Sequence, residues 1–404
     1  MSQQHKITPQ HIKLFRYAIL FQILWGAHAW FTWTIDSSRP LQYVAYIVVA
    51  VIAYKYQQKE GIRIKFTNSL MLAIVAFALG TLFYNRFSLP SLASVALMMY
   101  PVCVLVSDTK NAKGHLAYIT KALAIILIPG ILLSFTNLPG IPMYHPANEN
   151  SIFFNQILNL RVVSLFEGET SRFQSIFLEP GYMSSLLSFI LYAVKYNFKR
   201  WENVVILIAI IVSFSLAGYV ITFAGYTIYL LTNKGKVKGI IIFGIVIAST
   251  YYISLDYNNG QNLVNEMIIQ RLEYDEEKGI AGNNRTGEGT EFYYNQAIEN
   301  GDIWLGLGQE KVNKINAGSA TAGDYSTNIR GDGYKVYFVK FGIISALMFL
   351  LFYMMLAKVC NKRLKTRFSF VVLIMLSFMS QAIPSSMSWI YPIILGLQNY
   401  NFKE

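Results

Sequence analysis

The run VVILIAIIVSFSLAGYVITFAGYTIYLL, from Val204 to Leu231, stays largely apolar for 28 residues and has basic connectors on both sides. One straight span would put those connectors on opposite sides of a membrane, although lysine and arginine collect on the cytoplasmic side. The small and hydroxyl residues SFSLAG, Ser213 to Gly218, suit a tight turn between two helices. The sequence therefore predicts two thin antiparallel spans joined by this turn.

The composition of the whole chain is that of a multi-pass membrane protein. Of its 404 residues, 54% are hydrophobic and only 14% are charged. The first apolar run, Leu14 to Trp33, has no small-residue cleavage pattern after it, which predicts a retained span and not a signal peptide. The formal charge of +12 comes from short loops beside helix ends, so membrane topology and anionic lipid explain it better than nucleic acid does. With two cysteines, Cys103 and Cys360, we expect no disulfide framework.

Basic connectors predict which loops are cytoplasmic: 54–65, 107–115, 195–203, 233–239 and 358–367. Two long polar segments hold most of the acidic residues and are predicted to be large outer loops that contain short amphipathic helices. We predict an all-α protein with both termini in the cytoplasm and twelve spans, or eleven if the short second or last segment does not cross. The predicted spans are 14–34, 41–55, 68–84, 89–106, 116–135, 180–194, 203–215, 217–231, 238–255, 334–357, 368–384 and 387–398. The resulting divisions are 1–135 (spans one to five), 136–179 (first outer loop), 180–255 (spans six to nine), 256–333 (second outer loop) and 334–404 (last spans).

The second outer loop combines predicted amphipathic helices with three arginines. Helical spacing of apolar residues predicts one short helix around Leu263 to Leu272 and another around Phe292 to Ile298. Each arginine has a simple explanation, a pair with a neighbouring glutamate such as Glu273, Glu276 or Glu288. As a group, guanidinium ions in a glycine-rich loop suit an oligoanion such as a diphosphate. The three arginines are Arg271, Arg285 and Arg330.

The first outer loop ends in SRFQSIFLEPGYMSSLL, which begins at Ser171 and leads directly into a predicted span. Pro180 fits the first position of that helix, and Glu179 just before it lies at the positive end of the helix dipole. Helix initiation alone would therefore account for the glutamate. The alternative is a catalytic base at the water–lipid boundary, with Arg172 seven residues earlier, acting on a polar head group whose tail stays in the bilayer.

Four segments in order resemble the O-antigen and capsule repeat-unit polymerases called Wzy. They are SRFQSIFLEPGYMSSLL, the paired span with SFSLAG, the loop NNRTGEGTEFYYNQAIENGDIWLGLG and the span opening GYKVYFVKFGIISALMFLLFYM. The resemblance covers roughly Arg161 to Leu351. It implies a GT-C-like, metal-independent, inverting glycosyltransferase of the bacterial cytoplasmic (inner) membrane. It also implies a growing glycan on undecaprenyl diphosphate as donor and a single repeat unit on the same lipid as acceptor. Expected partners are membrane lipid, a chain-length regulator and a flippase, with no nucleic acid.

The chemistry of such a transfer selects the candidate residues. Negative charge builds on the leaving diphosphate while the acceptor hydroxyl loses a proton, so the site needs fixed cations and one carboxylate. We expect Glu179 as the base with Arg172 and Arg285 as the cations, and Glu288 or Asp324 as the next candidates for the base. Diphosphate or glycan binding is expected from Arg161, Arg271, Arg330, Lys340, Glu288 and Tyr182. No cofactor or metal is expected, because neither outer loop carries a DxD motif or a His/Cys ligand set.

Two other functions remain open from the sequence. Ligases of the same superfamily are expected to carry a histidine in the large outer loop, and this chain has none between Asp256 and Gly333. A lipid-linked oligosaccharide flippase or other transporter would place several ionisable residues inside the bundle. Here, among the charged residues and histidines, only His28, Lys121 and Lys340 lie more than three residues inside a predicted span. His28 is either a hydrogen-bonded interhelical residue or a proton relay.

Overall fold

The computed structural model shows a mainly helical protein. The residues it describes are 8–36, 38–85, 89–136, 138–145, 148–164, 168–170, 172–232, 249, 251–262, 264–265, 269–270, 274–275, 279–280, 288–322, 328–329, 331 and 333–401. The helices are α1 (Gln10–Gly26), α2 (Trp33–Asp36), α3 (Arg39–Glu60), α4 (Asn68–Tyr84), α5 (Leu89–Ser107), α6 (Ala112–Ser134), α7 (Pro180–Ala193), α8 (Trp201–Val212), α9 (Leu216–Thr232), α10 (Glu288–Glu299), α11 (Gln309–Ala322), α12 (Tyr334–Cys360), α13 (Leu364–Ser380) and α14 (Met387–Asn399). Residues 251–256 are also helical.

The predicted turn between the two thin helices is confirmed. Helix α8 ends at Val212 and α9 begins at Leu216, with Phe214 between them at φ +46°. The hydroxyl of Ser213 donates to the carbonyl of Ile210 and accepts from the backbone N–H of Ser215 at 3.3 Å. Of the other predicted spans, 14–34 is interrupted after Gly26 and most of 238–255 lies outside the described residues. Each of the rest overlaps a helix.

The outer surface of the helices is apolar. In the described part of the chain, two helices, α6 and α12, are long and apolar enough to cross a membrane. Large aliphatic side chains stand outward on several helices, among them Val44 and Val48 of α3, Val75 of α4 and Leu132 of α6. Contiguous exposed apolar surface is rare on soluble monomers and marks contact with another apolar phase or partner.

Helices α7 and α14 form the centre of the bundle. Every residue of α7 is buried, and α14 is buried from Met387 to Gln398. Small residues allow α9 to approach α7 closely, because a Cβ built on Gly218 would lie 2.5 Å from the hydroxyl oxygen of Ser184. One turn further along, the hydroxyls of Ser188 and Thr222 are 2.7 Å apart.

The first long loop is a β-sheet, so the expectation of short helices in that loop, and of a purely α-helical fold, is wrong. Strands β1 (Ile141–His145), β2 (Asn148–Asn155), β3 (Leu160–Ser164) and β4 (Gly168–Thr170) form an antiparallel sheet in sequential order. Phe153 and Leu160 pack with Trp33 in a small core of their own. The four strands have only 3 to 8 residues each, and runs this short carry little periodic signal.

The described part of the second long loop contains helices α10 and α11, a short strand pair of β5 (Tyr274–Asp275) and β6 (Gly279–Ile280), and turns between them. The predicted helix around Phe292 to Ile298 is confirmed as α10. The predicted helix around Leu263 to Leu272 falls partly outside the described residues. A core of Val312, Ile329, Val336 and Val339 joins α11 and the residues before α12 to the first turns of α12.

A buried polar network ties α1, α3 and α6 together at the end of α6 away from the sheet. The Nε–H of Arg16 donates to Nδ1 of His115 at 3.3 Å, so the Nε2–H of His115 is free to donate to Asp108, 3.0 Å away. The Asp108 carboxylate also accepts from the hydroxyl of Tyr56 and the backbone N–H of Asn111. Burial alone would raise the pKa of Asp108, but these hydrogen bonds outweigh it and lower the pKa.

Candidate functional site

The segment that leads from the sheet into α7 is held by three separate elements. The carbonyl of Ser175 accepts from the N–H of Leu160 at 2.7 Å, and the Ser175 hydroxyl donates to the carbonyl of Leu158 at 3.2 Å. On the side of α1, the carbonyl of Ile176 accepts from the N–H of Trp30 at 2.9 Å. Phe173 to Phe177 are all buried. The two charged residues that flank this segment are therefore carried on a fixed backbone.

Those flanking residues are Arg172 and Glu179, and both are half-buried. Glu179 occupies the N-cap position of α7 with extended backbone, φ −142° and ψ 149°, but its side chain makes no capping hydrogen bond. Pro180 occupies the first turn, as the sequence predicted. The carboxylate therefore does not perform the usual task of an N-cap side chain, although the dipole of α7 still favours a negative charge there.

The structure adds His28 to this region. The ring of His28 lies 5.1 Å from the ring of Tyr182, and the carbonyl of His28 accepts from the N–H of Leu178 at 3.1 Å. Tyr182 is itself almost fully buried in the first turn of α7. Glu179 and Tyr182 thus lie on the same turn of α7, and the His28 imidazole beside Tyr182 comes from a segment about 150 residues earlier in the sequence.

The sequence placed His28 inside a continuous span, and that expectation is wrong because α1 ends at Gly26. The carbonyl of Gly26 accepts hydrogen bonds from the hydroxyls of Ser386 at 2.7 Å and Ser388 at 3.3 Å. These bonds replace the helical partners that the carbonyl would otherwise need. His28 then takes a left-handed backbone, φ +54°. The sequence signal for this helix end was Gly26, which favours helix termination, together with the polar His28 two residues later.

Arg161 lies on strand β3, opposite Phe154 of β2. Its neighbours Leu160 and Val162 face the small core under the sheet. Because side chains alternate along a strand, Arg161 stands on the other face of the sheet, and it is half-buried there. The first long loop therefore contains a third charged candidate, Arg161 on the sheet, in addition to Arg172 and Glu179.

Lys340 lies at a break in α12. Gly342 has φ +81° and ψ 162°, which are not helical angles, and the freed carbonyls of Val339 and Lys340 accept from the N–H groups of Leu307 at 2.6 Å and Gly308 at 2.9 Å. The GLG motif, Gly306 to Gly308, therefore docks backbone to backbone on the KFG sequence of α12. These two short motifs, which are separated along the chain, are in direct contact in the structure.

The remaining candidates lie in other parts of the chain. Arg271, Arg285, Arg330 and Asp324 lie outside the described residues, as does the side chain of Glu288 at the start of α10. A contact that the sequence did not predict is the ion pair of Lys335 with both carboxylate oxygens of Glu291, at 2.6 and 2.7 Å, which fastens α10 to α12.

The donor set of the described residues contains no group of three or more histidine, cysteine, aspartate or glutamate side chains that could hold a metal ion. Near the start of α7 lie the Glu179 carboxylate, the Tyr182 phenol and the His28 imidazole, and Arg172 lies at the other end of the same buried segment. Such groups can accept and donate protons and bind anions.

Comparisons with known proteins do not identify the chain. No protein-family model matches it, and no curated protein or solved structure matches it either. The described residues define a helical protein with apolar outer faces and a fixed polar region at the start of α7.

Proposed function

We propose that this chain is a multi-pass enzyme of the bacterial cytoplasmic membrane that polymerises undecaprenyl-diphosphate-linked repeat units into O-antigen or capsular polysaccharide. In this proposal both termini are cytoplasmic, the chain crosses the membrane about twelve times in a GT-C-like arrangement, and residues 136–179 and 256–333 face outward. The proposal starts from the order of the four sequence segments that resemble the Wzy polymerases.

The apolar outer faces of the helices support the membrane placement. Leu132 of α6 and Val44 of α3 are 65% and 56% exposed, on helices whose other faces are buried. Burying apolar area in lipid is worth about 25 cal/mol per Å², so these faces favour hydrocarbon strongly over water. Helices α7 and α8 have 14 and 12 residues, fewer than the about 20 of a full span, so in this proposal they cross as shortened spans within the bundle.

One observation carries the catalytic part of the proposal. Glu179 is fixed at the N-cap of α7 on a buried, hydrogen-bonded segment, yet its carboxylate does not cap the helix. A carboxylate that serves helix initiation would normally bond the N–H groups of the first turn. The dipole of α7 favours the ionised form of a carboxylate at this position, and in this proposal that carboxylate accepts the proton of the acceptor hydroxyl.

In the proposed reaction, the acceptor hydroxyl oxygen attacks the anomeric carbon of the donor as its proton passes to Glu179. The bond between that carbon and the diphosphate oxygen breaks, and the configuration inverts. Arg172 and Arg285, with Arg161 and Lys340 as further cations, bind the negative charge that develops on the leaving lipid diphosphate. Tyr182 and His28 would hold the sugar or orient the carboxylate.

The test begins with the lipid-linked material that accumulates when the gene is deleted. Accumulation of one repeat unit per lipid supports a polymerase. Long chains that are not attached to their final acceptor would indicate a ligase, and repeat units that still face the cytoplasm would indicate a flippase; either result contradicts the proposal.

A second test uses purified protein and lipid-linked repeat units. Polymerisation should continue in chelator and should be about a hundredfold slower in Glu179→Gln. The matched control is Glu310→Gln, because Glu310 is 85% exposed on α11 and pairs only locally, with Lys314 at 2.8 Å. Equal loss of activity in both variants would mean that neither carboxylate is the base.

A further inference from the structure

The turn between β2 and β3 carries an isoleucine in an unfavourable environment. Ile157 has φ +69°, a left-handed conformation that β-branched residues strongly avoid, and its side chain is 70% exposed. Glycine or asparagine would adopt the same backbone at lower cost, and a polar side chain would suit water better. Neither the fold nor the catalytic proposal explains why a large apolar side chain stands there.

The position along the α6 axis at which this turn packs explains the exposed apolar side chain of Ile157. A Cβ built on Gly130 would lie 2.5 Å from the carbonyl oxygen of Leu158, so the turn packs directly against α6 at that residue. Gly130 precedes Phe135 by five residues, or about 7.5 Å along the helix axis. Leu132 and Phe135 of α6 are themselves 65% and 76% exposed. The carbonyl of Leu158, the residue after Ile157, therefore lies beside α6 at a level before Leu132 and before Phe135, the residue that follows the helix.

The backbone N–H and C=O groups of the turn form hydrogen bonds within the protein, which suits an environment without water. The N–H groups of Gln156, Ile157 and Leu158 donate to the carbonyl of Asn159, the side chain of Asn155 and the carbonyl of Gln156, respectively. The carbonyl of Ile157 accepts from the indole N–H of Trp30 at 2.8 Å, and that of Leu158 accepts from the hydroxyl of Ser175. Non-helical backbone at membrane depth requires this kind of internal satisfaction.

We propose that the β2–β3 turn, residues 156–159, inserts Ile157 into the outer leaflet of the bilayer and anchors the sheet to the membrane surface. The occupant of this surface is lipid hydrocarbon, continuous with that on the exposed face of α6. Trp30 then lies at the membrane–water boundary, where tryptophan is enriched. The inference rests on the proposed membrane span of α6. Because the same turn binds Ser175, the anchor also sets the height of the segment that ends at Glu179.

Spin-label accessibility tests the anchor in the full chain in lipid nanodiscs, with Cys103 and Cys360 replaced by serine. Single labels are placed at position 157, at Leu132 as the lipid-facing control and at Lys314 as the water-facing control, since the Lys314 side chain is 75% exposed. Collision with oxygen, which concentrates in lipid, is compared with collision with a water-soluble nickel chelate. We expect oxygen to dominate at positions 157 and 132 and the nickel chelate to dominate at 314.

Each other result overturns the anchor. Nickel-dominated collision at 157 with oxygen-dominated collision at 132 would place the turn in water while leaving the membrane span of α6 intact. Low collision with both reagents at 157 would mean that another protein surface, such as a second copy, covers it. Nickel-dominated collision at 132 as well would remove the membrane span, and with it both the anchor and the proposed function.

Discussion

The break in α12 allows a quantitative prediction, because one glycine carries both the backbone conformation and the contact. Gly342 has φ +81° and ψ 162°, a region that is nearly exclusive to glycine. A Cβ there would lie 2.5 Å from the carbonyl carbon of Leu305 and closer still to the carbonyl oxygen of Trp304. Both atoms belong to the backbone and cannot rotate away. Gly342→Ala should therefore displace the GLG motif from α12.

The size of the effect follows from two contributions. Alanine in this backbone region costs about 1–3 kcal/mol. Loss of the bonds from Leu307 to Val339 and from Gly308 to Lys340 adds about 0.5–1.5 kcal/mol each. Together the docked state should lose about 2–6 kcal/mol relative to the undocked state. The control is Gly301→Ala, because Gly301 has φ +74° but a methyl group added there would meet no atom within 4 Å.

Hydrogen exchange of the Leu307 and Gly308 amides, followed by mass spectrometry on the full chain, measures the docking. Each 1.4 kcal/mol lost should speed exchange about tenfold, so Gly342→Ala should raise it at least tenfold. Gly301→Ala should leave these amides close to wild type. Unchanged exchange in Gly342→Ala would refute the reasoning, and so would an equal rise in the buried amides of α7, because that would show global unfolding.

Three further predictions concern the network, the site and the core. Asp108→Asn should cost about 3–5 kcal/mol, because it removes one partner of a buried charged network, and thermal unfolding followed by dye labelling of the buried cysteines measures it. Since the pKa of Asp108 is lowered in the fold, the carboxylate contributes fully above its ordinary pKa of about 3.9, and the contribution is lost as pH falls below that. Under the proposed function, Glu179→Gln should slow polymerisation about a hundredfold, and Arg172→Lys should not retain full activity because an ammonium cannot bind two oxygens as a guanidinium does. Gly218→Ala should destabilise the α7–α9 contact by about 1–3 kcal/mol, whereas Gly318→Ala, with no neighbouring atom within 4 Å, should leave stability unchanged or slightly raised; similar unfolding temperatures for the two would contradict the packing.

Sequence patterns were sufficient where the structure depends on local chemistry. Apolar run length located α4, α8 and α9, and the small hydroxyl residues between Val212 and Leu216 located the turn. They were insufficient where a residue far away in the sequence determines where a helix ends. Helix α1 stops at Gly26 because Ser386, 360 positions later in the sequence, takes its carbonyl as a hydrogen-bond acceptor. No periodicity within α1 could report that contact.

The same distinction applies to the candidate site. Pro180 and Glu179 were located from the sequence because helix starts have local signatures. The neighbouring ring of His28 was missed, since it reaches Tyr182 only through the fold. The sheet was missed for a related reason: its strands are short, and its core depends on Trp33, which comes from another part of the chain.

The two helix breaks that the sequence did not predict have a common structural role. Where α1 stops, the freed carbonyl of His28 accepts from Leu178, which belongs to the first loop. Where α12 is broken, the freed carbonyl of Val339 accepts from Leu307, which belongs to the second. Backbone bonds fix a segment more rigidly than side-chain contacts, because neither partner has rotamer freedom. Each long loop is therefore joined to the bundle at a helix break. The bundle therefore holds the residues next to these junctions, Glu179 in the first loop and Lys340 in α12, in the way that the proposed function requires.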